Sequence, residues 1–167
     1  MALTLLRHTT PEVVRGTCYG ITDLRLADSF DDEADRVLAD LPPVTAIVSS
    51  PLLRCRQLAS HIADHLSHEV VISSDWREMD FGAWEGRAWE ALPRAELDAW
   101  AADFHGYDGH GGESVAQLHS RVARALNAAP DGALVVTHMG CIKAALVEHG
   151  DPKGWDAQVP FGGVVML

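Results

Sequence analysis

Three short apolar runs, each ending abruptly in polar side chains and each followed by a helical stretch, constrain this chain more than any other feature. Leu3-Thr4-Leu5-Leu6 stops at Arg7 and His8. Ala46-Ile47-Val48 stops at Ser49 and Ser50, with Arg54 just beyond. Leu134-Val135-Val136 stops at Thr137 and His138. Apolar runs bounded in this way read as buried strands, and strands alternating with helices imply an α/β sandwich with a mostly parallel sheet.

The intervening stretches support the alternation. Ala34, Val37, Leu38 and Leu41 lie at helical spacing over residues 31–41, and Pro42-Pro43 end that helix. Strands are expected at 45–50, 69–73, 133–138 and 163–167. Ser50-Pro51 is expected to open the second helix as N-cap and first-turn proline, with Leu58, Ile62 and Leu66 four apart behind it. Residues 74–88 are rich in Gly and Trp and read as irregular. A helix is expected near 89–103, a loop at 106–112 and a final helix at 140–149. Ser114 and Gln117 form a capping box ahead of a helix carrying Val115, Leu118, Val122 and Leu126 inside. A chain of 167 residues, 47% of them hydrophobic, is expected to fold as one domain over 1–167.

Charge narrows the partners. A formal net charge of -11 disfavours nucleic acid polymers and anionic membrane surfaces. An anionic substrate must then be small and met by locally clustered cations. Lys143 and Lys153 are the only lysines, so arginine carries most of that work and suits bidentate contacts to phosphate or carboxylate. No apolar run is long enough to span a membrane, and no secretory leader is seen at the N-terminus. Cys18, Cys55 and Cys141 are odd in number and far apart, which suggests free thiols. Together these features make the cytoplasm the default compartment.

Parallel strands bring their C-terminal ends to one edge of the sheet, where ligands of open α/β sheets bind. Helix N-termini beside that edge offer unpaired N–H groups to an anion. Arg7, His8, Arg54, His138 and several hydroxyls are thereby expected to gather at one rim. Any one of them alone is ordinary: a histidine at a strand end is usually solvated, and an arginine usually forms a surface ion pair. Their joint occurrence at three equivalent junctions is what points to a site.

"LLRHTTP", "VSSPLLRCRQLA", "EMDFGAWEG", "GGES" and "VVTHMG" occur in that order along the chain. Together they resemble the histidine phosphatase superfamily, also called the phosphoglycerate mutase-like family. The resemblance implies a three-layer α/β/α sandwich. Cys18-Tyr19-Gly20, followed by Asp23, Leu24 and Leu26, is similar to the branch containing the α-ribazole phosphatases of cobalamin biosynthesis. The chain departs from the family at Thr9, where a glycine is usual, and at Thr10-Pro11, where a Glu/Gln-Thr pair is usual. A family asparagine has no counterpart among Val13, Val14 and Arg15.

The resemblance implies a phosphohistidine intermediate on His8. A neutral imidazole is a competent nucleophile when its other nitrogen is held as N–H. Arg7, Arg54 and His138 are the expected donors to the transferring phosphoryl group, with no cofactor and no metal needed to supply charge. Glu78 is the expected acid for the leaving oxygen and then base for water. Asp75, Asp80 and Glu85 are rival carboxylates read as structural, and Glu113-Ser114 reads equally as a helix cap or a substrate contact. Tyr19, Trp84 and Trp89 are candidate substrate contacts at the mouth of the site, or core residues. His61 and His65 have ligand spacing on one helix face, but with His68 they complete no metal motif and read as solvated.

A short lid-like insert is expected around 85–113. It holds Glu85, Glu90, Glu96, Asp98, Asp103, Asp108 and Glu113 against Arg87 and Arg94, with Trp89, Trp100, Phe104 and Tyr107. Such a lid would repel a highly charged bisphosphate and favour one phosphate on a flat neutral body. The expected activity is therefore a phosphomonoesterase acting on a small phosphorylated metabolite, with α-ribazole 5′-phosphate as the lead substrate. The alternatives are a phosphoglycerate mutase-type phosphotransferase and a non-catalytic phosphate or protein binder. A homodimer is left open.

Overall fold

The computed structural model describes residues 2–167. The elements in chain order are β1 (Thr4–Arg7), α1 (Phe30–Asp40), β2 (Ile47–Ser49), α2 (Leu53–Leu66), β3 (Val70–Ile72), α3 (Arg94–Ala102), α4 (Val115–Ala128), β4 (Leu134–Thr137), α5 (Met139–Glu148) and β5 (Val164–Met166). The sheet order is β3-β2-β4-β1-β5, parallel throughout except for the antiparallel pairing of β1 with β5. This is the mixed α/β fold with a five-stranded, mostly parallel sheet that the alternation predicts.

The period of two along a strand divides the core between two faces. Leu5, Val48 and Val135 pack against α4 and α5 through Leu118, Val122, Ile142 and Ala145. Leu6, Ile47, Leu134 and Val136 point the other way, onto Val37 of α1 and Leu58, Ala59 and Ile62 of α2. Both faces are therefore covered, which is why the central strands read as unbroken apolar runs. A third apolar cluster joins Cys18 and Trp84 to Leu92 of the insert.

Strand order does the assembling. β4 lies between β1 and β2, although the chain reaches it last of the three. The His8 N–H donates to the Thr137 carbonyl at 3.1 Å, and the Ser50 N–H donates to the Val136 carbonyl at 3.0 Å. His138 is thereby seated between the ends of β1 and β2.

Two local expectations are corrected. α2 begins at Leu53, with Leu52 rather than Ser50 at its N-cap. The Leu53 N–H is taken by Asp23 Oδ1 at 2.7 Å, so an acidic side chain from a distant loop answers the positive end of the helix. The helix expected over 89–103 is split: a 3-10 turn at Trp89–Ala91 is followed by α3, because Pro93 lies between them in an extended conformation. The Ser114–Gln117 capping box is present as expected, with both reciprocal hydrogen bonds made.

Candidate active site

Arg7 and His8 leave the end of β1 at the floor of a cavity of about 380 Å3. His8 is buried, with only 1% of its surface exposed. Its Nδ1 lies 2.7 Å from the carbonyl oxygen of Thr9. A carbonyl only accepts, so Nδ1 carries the proton and Nε2 keeps its lone pair. Burial, and then the Arg54 and Arg7 charges, push the imidazole pKa down to about 3. The Thr9 hydrogen bond acts the other way and is outweighed. His8 is thus neutral at physiological pH, with one nitrogen committed.

His138 lies edge-on to His8, ring centroids 5.2 Å apart. It is fully buried, and its Nε2 is 2.7 Å from Ser50 Oγ. Burial, His8 and Arg54 hold its pKa well below the usual histidine value. The Ser50 hydroxyl, expected to cap a helix, is used here instead. Its role is visible only once β2 and β4 are adjacent.

Arg7 donates from Nη1 to the Val159 carbonyl at 2.7 Å and stacks over Phe161, 4.0 Å from the ring centroid. Its Nε is buried without a partner. Arg54 is fully buried at the start of α2. Its Nη groups donate to the Thr22 and Gly20 carbonyls at 2.7 and 2.6 Å, and its Nε also lacks a partner. The guanidinium lies 5.2 Å from the Tyr19 ring centroid. Both arginines are thus fixed in place by carbonyls while each retains an unused donor. Burial lowers the Arg7 pKa, against the opposing influence of Tyr19 and Glu78.

Glu78 reaches the same cavity from the irregular segment after β3. Its Oε1 accepts from the Met79 N–H at 2.9 Å and its Oε2 from the Gly140 N–H at 3.0 Å. Gly140 lies in the first turn of α5, where N–H groups have no partner within the helix. A Cβ at that position would meet Glu78 Oε1, so a larger residue there would displace the carboxylate.

The segment bearing Glu78 is held carbonyl by carbonyl. Arg121 Nη1 donates to the Asp75 and Arg77 carbonyls at 2.8 and 2.7 Å. Thr137 Oγ1 donates to the Trp76 carbonyl at 2.8 Å. Arg121 is itself held by both oxygens of Glu113, at 3.0 and 2.8 Å. Glu113 therefore neither contacts the cavity nor caps α4, a task left to Ser114 and Gln117. The sequence reading missed Arg121. The available signal was its place two helical turns beyond Glu113.

Tyr19 lines the cavity as expected, and Trp84 does not. Trp84 is fully buried in the insert cluster and donates from Nε1 to Glu96 Oε2 at 2.6 Å. Its substrate-contact role is corrected to a core role. Trp89, Trp100 and Phe104 do line the cavity, joined by Phe81 and Trp155. Trp89 and Trp100 stack at 14°, Trp100 and Phe104 at 21°, and Phe104 meets Trp155 edge-on. The result is a continuous aromatic wall.

The expected electrostatics of the insert are also corrected. None of its seven carboxylates lines the cavity. Glu85 is bound by the Gly20 and Ile21 N–H groups and Thr22 Oγ1, Asp98 pairs with Arg94, and Asp103 accepts from the Gly106 N–H. Among the described residues, Arg7, Glu78 and Lys143 are the charged ones that line the cavity. Of the departures at residues 9–17, Thr10 has a structural use, since its N–H and hydroxyl both bind Glu33 Oε1, while the Thr9 hydroxyl is buried without a partner. Away from the site, His61 Nε2 is 3.1 Å from Asp35 Oδ1, and His65 Nδ1 faces the His61 carbonyl.

The model of the histidine phosphatase superfamily (branch 1) matches residues 3–158. A bifunctional protein of Mycobacterium tuberculosis is 40% identical over 111 residues, covering 62% of this chain but only 30% of the relative's length. Phosphoserine phosphatase 1 of Hydrogenobacter thermophilus is 29% identical over 126 residues, 72% of this chain and 60% of that protein. The crystal structure of a phosphoglycerate mutase from Thermus thermophilus superposes with a TM-score of 0.84 at 33% identity, covering 100% of this chain and 92% of the other.

Proposed function

Because the chain belongs to the histidine phosphatase superfamily, branch 1, we propose that it hydrolyses a small phosphate monoester through a phosphohistidine at His8. The observation that carries this reading is the His8 ring, neutral, locked by Thr9 at Nδ1 and bearing its lone pair on Nε2 at the cavity floor.

In the first step Nε2 attacks phosphorus as the ester P–O bond breaks, and the leaving oxygen takes a proton from Glu78. In the second, water attacks phosphorus and gives its proton to Glu78. The P–N bond then breaks, and its electron pair returns to Nε2. Arg7 and Arg54, each with a buried unpartnered Nε, and His138 stabilise the equatorial oxygens. These donors are already fixed by the protein, so little reorganisation accompanies transfer.

Hydrolysis is favoured over mutase chemistry by the cations that are present. A mutase must hold a bisphosphate, and beyond Arg7 and the buried Arg54 that the transferring phosphoryl group needs, the described residues offer the cavity one more cation, Lys143. The phosphatase names of some relatives point the same way. Within this class, α-ribazole 5′-phosphate is one candidate for the screen; it is supported by the sequence resemblance and by an aromatic wall able to stack on a flat ring. A cytoplasmic setting is supported by three buried free cysteines.

The test has two parts. A phosphate-release screen should cover ribazole phosphate, phosphoserine, sugar phosphates and phosphoglycerates. Acid-free quenching with labelled substrate should trap an acid-labile, alkali-stable phosphoenzyme that is absent in His8→Ala. A label that persists in His8→Ala, or efficient bisphosphate-primed interconversion of phosphoglycerates, would overturn the proposal.

A further inference from the structure

The cavity holds more than a phosphoryl group. Its volume of about 380 Å3 lies in the range of small-molecule sites. With phosphate at Arg7 and His8, the remaining space is bounded by the aromatic wall on one side and by α5 on the other.

α5 brings Lys143 to this space. Met139, Gly140 and Lys143 all line the cavity, and their three- and four-residue spacing puts them on one helical face. Lys143 is half-buried. The other two charged groups in the cavity are engaged by the protein: Arg7 by Val159 and Phe161, Glu78 by Met79 and Gly140. Among the described residues, the Lys143 ammonium makes no ion pair, not even with Glu78, whose carboxylate is bound one turn away at Gly140. The acidic insert sends none of its carboxylates there. A half-buried ammonium that lines a largely aromatic cavity and has no ion-pair partner is a ready site for an anionic group of the substrate.

Building on the phosphomonoesterase reading, we infer that Lys143 is a specificity-determining residue, and that the substrate is a phosphate ester of a flat, apolar alcohol carrying a second anionic group, a carboxylate, which Lys143 receives. The aromatic wall takes the flat body. A neutral ring such as that of ribazole would cover the wall and leave Lys143 unanswered. The phosphoryl group and the carboxylate would be bound at separate points, which fixes the orientation of the ester oxygen relative to Glu78.

Two probe esters isolate the charge. One is 3-(4-phosphonooxyphenyl)propanoate and the other its primary amide. The two have the same size, and the ethylene linkage insulates the leaving oxygen from the change. The carboxylate should be preferred roughly tenfold or more in kcat/KM, through KM, as expected for a charge-assisted hydrogen bond. Lys143→Met should collapse that preference towards unity, and Lys143→Arg should retain it. Equal kcat/KM for the two esters in the unmodified protein, or a preference that survives Lys143→Met, would overturn the inference and leave the phosphatase reading standing. Non-hydrolysable phosphonomethyl analogues of the same pair give the comparison as a ratio of Kd values. If neither ester turned over, that ratio would still decide the role of Lys143, and the phosphatase reading would rest on the phosphate-release screen and the phosphoenzyme trap.

Discussion

The Nδ1–H of His8 donates to the carbonyl oxygen of its own neighbour, Thr9, at 2.7 Å. A backbone carbonyl cannot change its role with pH, so the tautomer is set by the chain itself and not by a titrating carboxylate. Burial and two arginines add an electrostatic bias against protonation.

The His8 imidazole is therefore expected to stay neutral at pH 5. With a folded pKa of about 3 and an unfolded value of 6.5, the unfolded chain binds the extra proton between those limits. Stability is fully present above 6.5 and is lost as pH falls towards 3. His138 acts in the same direction. Nitrogen chemical shifts of a labelled protein should show protonated Nδ1 and bare Nε2 from pH 8 to 5, and the thermal midpoint should fall across the acid range. An imidazole at His8 titrating near 6.5 would contradict the arrangement.

Glu78→Gln is expected to slow the hydrolysis of alkyl phosphates by about two to four orders of magnitude. Aryl phosphates, whose leaving oxygen is a weaker base, should be slowed much less. The glutamine can still accept from the Met79 and Gly140 N–H groups only with its single carbonyl oxygen, so thermal stability should be measured alongside. Equal slowing for both ester types would assign Glu78 a structural role.

Arg121 is expected to act through Glu78. It holds the carbonyls of Asp75 and Arg77 and is clamped by Glu113. Arg121→Lys keeps the charge but loses the planar fork that makes these bonds together. The alkyl-to-aryl rate ratio should fall while KM changes little. Arg121→Met, which leaves the partly buried Glu113 without its ion-pair partner, should cost about 3 kcal/mol of stability. A folded Arg121→Lys protein with an unaltered alkyl-to-aryl ratio would separate this residue from catalysis.

Trp84 and Trp89, five residues apart, should behave differently. Trp84→Leu removes a fully buried ring and its bond to Glu96, and should destabilise the fold by about 3 kcal/mol or more in urea. Trp89→Leu removes part of the cavity wall and should raise KM for aryl esters more than it lowers stability. The reverse pattern would mean that the wall is misassigned.

Residues close in the chain made much of this protein legible. Apolar runs ending in Arg7-His8, Ser49-Ser50 and Thr137-His138 announced buried parallel strands with polar ends, because burial on both faces leaves no alternation and parallel strands share an edge. The Ser114–Gln117 box was equally local, since both of its bonds lie within one turn. Tertiary structure decided what depends on distant pairing. Inserting β4 between β1 and β2 turned Ser50 from an apparent cap into the partner of His138. The packing of the insert directed Glu85 and Asp103 to backbone N–H groups, Glu96 to the Trp84 indole, Asp98 to Arg94 and Glu113 to Arg121, leaving an aromatic wall where composition suggested an acidic one. Trp84 went to the core and Trp89 to the cavity because a side chain's environment is set by what packs against it. No local pattern encodes that, and for the same reason Lys143 drew notice only as one of two lysines until α5 placed it beside Gly140 and Glu78.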